Sequence, residues 1–114
     1  MGNCLITSKS KKLTIQTATL WDTPQQVTGS NTSITLKSNW TNYDLLQVNA
    51  NATVLMPCVA GQWNFKSFWN ISSGSTSTNW LKLKLDTSQP TKLILVQSDY
   101  QVYSWIMGIK FVLK

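Results

Sequence analysis

The chain has 114 residues and a formal net charge of +6, carried by ten lysines against four aspartates, with no Arg, Glu or His. That length suits one domain around a single core. Without His there is no usual general base near neutral pH, and the commonest metal ligand is missing. GxGxxG and GxxxxGK[ST] phosphate cradles are also missing, so the chain is expected to be non-enzymatic and to need no metal or cofactor.

In chain order, the first segment is MGNCLITSKSKKL. Gly2, Cys4 and the cluster Lys9, Lys11, Lys12 have the look of a lipid anchor. Myristoylation, however, wants a hydroxyl at the sixth position, where Ile6 stands, and Thr7 comes one place late. The reading is therefore no membrane anchor. Residues 1–16 are expected to form an attachment arm, with Asn3, Cys4, Leu5, Ile6 and Thr7 as a short strand held by a neighbouring element or subunit. No long apolar stretch marks a secretory signal, and no apolar run is long enough for a spanning helix. Cys4 and Cys58 lack metal or redox spacing and are expected as buried free thiols rather than a disulfide.

From residue 17 onward the hydropathy period is two, the signature of strands. TSITLKS sets Ile34 and Leu36 against Thr35 and Lys37. The even positions from Leu46 to Cys58 are apolar. QWNFKSFWNIS puts Trp63, Phe65, Trp69 and Ile71 on one face. WLKLKLD points Leu81, Leu83 and Leu85 inward and Lys82, Lys84 and Asp86 outward. KLILVQ is apolar on both faces and reads as a central strand. YQVYSWIMGIKFVLK places Tyr103, Trp105, Met107, Ile109, Phe111 and Leu113 on one apolar side, with Trp105 expected in the core. Polar turn clusters separate these runs: TPQQVTGSN, NWTNYD, SSGSTSTN and DTSQP. Asp22, Asp44, Asp86 and Asp99 each stand beside such a turn, where Asp turns and caps the backbone. The expectation is an all-β antiparallel sandwich of about eight strands, of jelly-roll type, spanning residues 17–114.

Two features bear on partners. Lysine without arginine argues against sequence-specific nucleic-acid reading, because the bidentate guanidinium fork is missing. Contact with a genome through the Lys-bearing arm is disfavoured on the same ground. Six Trp in a chain of this size is the positive signal. Trp21, Trp40 and Trp80 fall at loop edges, and with Tyr43 they are the candidate surface residues. Packing or a subunit interface ranks first for them, and a platform for a host surface glycan second.

The ending Trp105-Ile106-Met107-Gly108-Ile109-Lys110 resembles the aromatic-x-I-x-G-I-K ending of small β-sandwich domains in tailed-phage fibres. The run Asn42-Tyr43-Asp44-x-Leu46 is similar to the N-Y-D-x-L turn of the same domains, although Met107 replaces the usual Tyr before the glycine. MGNCLIT resembles the first strand of small stand-alone virion proteins. The resemblance implies a bacteriophage structural protein: a head fibre, capsid decoration or tail-fibre component, usually trimeric. Such a protein would lie on the virion surface, and in the host cytoplasm during assembly. Its partners would be capsid or tail proteins of the same virion, reached by the arm through strand addition, with Lys9, Lys11 and Lys12 meeting acidic partner surface.

Overall fold

The computed structural model describes residues 12–50, 52–70 and 76–113. Among them lie seven antiparallel strands: β1 Leu13–Trp21, β2 Gln25–Thr35, β3 Leu45–Ala50, β4 Ala52–Pro57, β5 Gly61–Asn70, β6 Thr76–Leu85 and β7 Lys92–Leu113. One 3₁₀ turn spans Trp40–Asn42. The fold is an all-β sandwich of two four-stranded antiparallel sheets.

The long strand β7 serves both sheets. On one side β1 and then β2 run along it end to end, β1 against its C-terminal half and β2 against its N-terminal half. On its other side β3 pairs with Tyr103 to Ile109, and β6 pairs with Ile94 to Ser98. Hairpin partners complete each sheet, β4 on β3 and β5 on β6. The first sheet therefore reads β4-β3-β7-β1 and the second β5-β6-β7-β2. Each of these hairpins stays within one sheet, and the ribbon of β7 with β1 and β2 crosses between them. Elsewhere the chain crosses through 36–44 and through 58–60, where Gly61 supplies a positive φ of 143°.

The crossing needs a corner in β7. Ser98 Oγ and Tyr103 Oη hydrogen-bond at 2.8 Å, and both residues are fully buried. In a straight strand, residues five apart sit about 16 Å from each other on opposite faces. Their meeting requires the strand to turn over between them, the device by which one strand leaves one sheet for another. The opposite end of the sandwich is closed by residues 36–44. Leu36 N donates to Thr91 O, Lys37 N to Leu20 O and Trp40 N to Pro90 O, each at 2.8 Å. The turn at 86–91 is fixed by Asp86, whose Oδ1 accepts from Ser88 N at 2.9 Å and from Ser88 Oγ at 2.8 Å. These bonds hold the Asp86 carboxyl below its ordinary range.

The inward alternation of Ile34 and Leu36, of Leu46, Val48 and Ala50, and of Leu81, Leu83 and Leu85 is buried as the sequence predicts. Leu93 and Leu95 are buried on a strand paired on both sides, which confirms KLILVQ as central.

Three expectations need correction. Residues 13–16 are not arm: Leu13 to Gln16 pair with Leu113 to Lys110 inside the first sheet. Trp40 is not a surface residue; it is buried between the sheets. The apolar row of the last strand faces outward. Tyr103 is buried, but the next buried positions are Ile106 and Gly108. Trp105, Met107 and Ile109 are half-buried, and Phe111 and Leu113 are exposed. The registers of β1 and β3 both shift opposite residues 103–107. A one-residue irregularity of this kind sends every later side chain to the other face.

Candidate functional site

The two short segments that carry the fibre resemblance meet in space. β3 brings the start of the first sheet beside the end of β7, and Tyr43 folds back over the strand. A Cβ built on Gly108 would lie 2.7 Å from two Tyr43 ring atoms and 2.9 Å from a third. The ring therefore rests on bare backbone, which only glycine allows. Asp44 locks the same place. Its N–H donates to Ile109 O at 2.8 Å, and its Oδ2 accepts from Phe111 N at 2.7 Å. Ser38 Oγ and Tyr43 Oη lie 3.3 Å apart and share a hydrogen bond.

Beside this contact is a cleft of about 270 Å³ lined by Gln16, Thr17, Ala18, Asn42, Tyr43 and Lys110. Two amides, a hydroxyl, one aromatic wall and one ammonium face a small space, and no carboxylate among the described residues lines it. Such a set can seat a neutral or anionic polar ring by packing on Tyr43 and bonding to the amides. Gln16 and Lys110 are partners in the β1–β7 register, so the sheet itself sets their spacing.

The four aromatic candidates do not form one platform. Trp40 lies in the core, and its indole N–H finds no acceptor among the described residues. Trp21 is half-buried against the core. Tyr43 borders the cleft. Trp80 lies on the outward face of the second sheet, across from Lys66, with the ammonium groups of Lys66 and Lys82 at 5.8 and 5.1 Å from its ring centre. Cation–π attraction of this kind is worth about 0.5–1 kcal/mol at an exposed site. Of the arm residues, Asn3, Cys4, Leu5, Ile6, Thr7, Lys9 and Lys11 lie outside the described residues, and Lys12 is exposed immediately before β1. Among the cleft residues, Gln16, Thr17 and Ala18 escaped sequence reading, because they fell in a segment read as arm or at its edge.

Cys58 carries a free thiol, half-buried where β4 ends. Burial first, and then the charge of Asp44, push it up to about 12. A thiol so held is protonated at neutral pH and is a poor nucleophile. No group of three or more potential metal ligands occurs among the described residues. Asp22 is engaged with Lys37 at 3.3 Å in an exposed pair that contributes little to stability.

No protein-family model matches the chain, and no curated protein shows significant sequence similarity to it.

Proposed function

We propose that the chain is a non-enzymatic structural component of a bacteriophage particle, of head-fibre, capsid-decoration or tail-fibre type. It is held to the particle through its N-terminal arm and presents the sandwich for contact with a host or surface. One observation above the others supports this reading. The two sequence segments that resemble fibre domains are packed on one another, Tyr43 on Gly108 and Asp44 on Ile109 and Phe111. Residues that share a motif and also share a contact have a structural reason to occur together.

The experiment is immunogold labelling of intact particles with antibody raised against the chain, alongside mass spectrometry of purified particles. Label on the head or tail is the expected result, and deletion of residues 2–12 should remove it. Absence of the chain from particles refutes the reading.

A second reading is a lectin-like carbohydrate or receptor-binding module, supported by the Tyr43 cleft with its two amides, Gln16 and Asn42, and Lys110. A glycan array decides it. Binding that is lost in Asn42→Ala and Lys110→Ala favours it, and a blank array removes it.

A further inference from the structure

The outward face of the first sheet is apolar where a sheet open to water should be polar. Leu13 stands opposite Leu113, and Ile15 opposite Phe111, in neighbouring strands on one face. They are 59%, 62%, 63% and 43% exposed in that order. Ile109 and Met107 continue the row. In the alternation of a half-buried sheet these outward positions would carry Thr, Lys or Gln, as the outward side of β6 does with Lys82 and Lys84. A contiguous apolar patch of this kind marks a contact surface.

We infer that this face seats a second copy of the chain. Charge is the first argument. No outward position of the sheet's four strands is charged, in a chain of net charge +6. On the other sheet, Lys66, Lys82 and Lys84 all stand on the outward side. The outward strand positions of the first sheet therefore let two like-charged copies meet without opposing lysines, with Lys12 beside Leu13 at the edge of the face. Its layout is the second argument. The apolar cluster at the end of the sheet runs on through Ile109 and Met107, and the rest of the face carries only uncharged groups: Thr17 and Thr19 on one side, Leu45, Gln47, Asn49, Thr53 and exposed Leu55 on the other.

Size is the third argument. Nine residues of β1 at ~3.3 Å and four strands at ~4.8 Å spacing give roughly 400 Å² in plan per copy. Two copies face to face then bury about 800 Å² before side-chain relief is counted, below the ~1,200 Å² of a stable specific interface and in the range of weak, transient association. The pair should therefore depend on concentration. The chain's own N-terminal segment is a poorer occupant, because residues 2–11 supply only Cys4, Leu5 and Ile6 as apolar groups.

The inference rests on the reading of the chain as an assembly component, and the two fail separately. Sedimentation equilibrium of the full chain over a hundredfold range of concentration is the test. The expected mass rises from 12.8 kDa toward twice that value. Phe111→Lys and Ile15→Lys, both at exposed positions, should each weaken association by about tenfold or more. Lys82→Gln on the other sheet should leave it unchanged. Circular dichroism and the melting temperature check that both variants fold, and Leu13→Ser offers a milder change to the same face. A wild type that stays at 12.8 kDa throughout overturns the inference, as does an oligomer indifferent to Phe111→Lys and Ile15→Lys. Loss of association on deleting residues 2–11 also overturns it, since the arm would then be the contact. A monomer that still labels particles sinks the self-association alone. An oligomer absent from particles sinks only the virion reading.

Discussion

Replacing Gly108 by Ala puts the Tyr43 contact to a quantitative test. The new methyl carbon would sit 2.7 Å from Tyr43 Cγ and Cδ1, atoms near the root of the ring rather than at a flexible tip. The ring must swing away as a whole. Overpacking of this kind costs about 1–3 kcal/mol. Moving the ring also strains the long Ser38–Tyr43 hydrogen bond, worth about 1 kcal/mol at most. Against this, Ala is favoured over Gly inside a strand by roughly 0.5–1 kcal/mol. The clash wins, and a net loss of about 1–3 kcal/mol is expected. For a chain of this length each kcal/mol shifts Tm by about 4 °C, so Tm should fall by roughly 4–12 °C. Urea unfolding followed by Trp fluorescence gives the free energy at constant m-value. The decisive measurement is the same substitution in a Tyr43→Ala background. There the obstacle is gone, and Gly108→Ala should become neutral or stabilising by up to about 1 kcal/mol. If Gly108→Ala costs the same in both backgrounds, Tyr43 is not what demands the glycine.

Three further outcomes follow from buried groups. Trp40→Ala should cost about 3–5 kcal/mol, whereas Trp40→Phe should cost under about 1.5 kcal/mol because it also removes an N–H without an acceptor; urea titration checks both. Stability should fall as pH rises: Tyr103, raised by burial to about 12, and Cys58, raised to about 12, keep their protons in the folded chain after the unfolded chain has lost them. The contribution of both is complete below about pH 9 and is lost between about pH 9 and 12, and thermal melts across that range should show the decline. Alkylation of Cys58 by iodoacetamide at pH 8 should be slow and should quicken in Asp44→Asn, which removes the lesser of the two causes that hold the thiol protonated.

The strands with unbroken alternation were legible from the residues alone. In WLKLKLD nothing interrupts the period, and Leu81, Leu83 and Leu85 are buried as that period requires. The turn at Asp86 was legible for the same local reason, since an Asp two residues before a Ser can bond its own backbone. The last strand misleads because local pattern and tertiary register part company there. Tyr103 and the row from Trp105 to Leu113 share one parity in the sequence, but a register shift falls between them. Nothing in the residues announces that irregularity; it exists because β7 must turn a corner between two sheets. Trp40 was misread differently. Asn39 and Thr41 beside it suggest a loop in water, and both are exposed, but the 3₁₀ turn points the indole between the sheets. The cleft was half legible: Asn42, Tyr43 and Lys110 belong to noticed segments, while Gln16 and Thr17 became visible only through their pairing with the other end of the chain.

The inverted last strand also ties the candidate cleft to the apolar face. A slip of β7 by one residue would carry Met107, Ile109 and Phe111 into the core, an exchange the hydrophobic effect alone would favour. What opposes it is local. In the observed register Gly108 lies under Tyr43, where any side chain would collide, and Asp44 accepts from the N–H of Phe111. After a slip, Tyr43 would meet Met107 or Ile109, and Asp44 would lose that donor. The Tyr43–Gly108 contact thus holds the aromatic and aliphatic row outside. A sequence that uses a glycine, an aromatic ring and a carboxylate to keep Ile15, Phe111 and Leu113 facing water retains a surface that a second copy can cover. Gly108→Ala should therefore weaken self-association together with stability, whereas Phe111→Lys should weaken self-association while leaving Tm within about 2 °C of wild type.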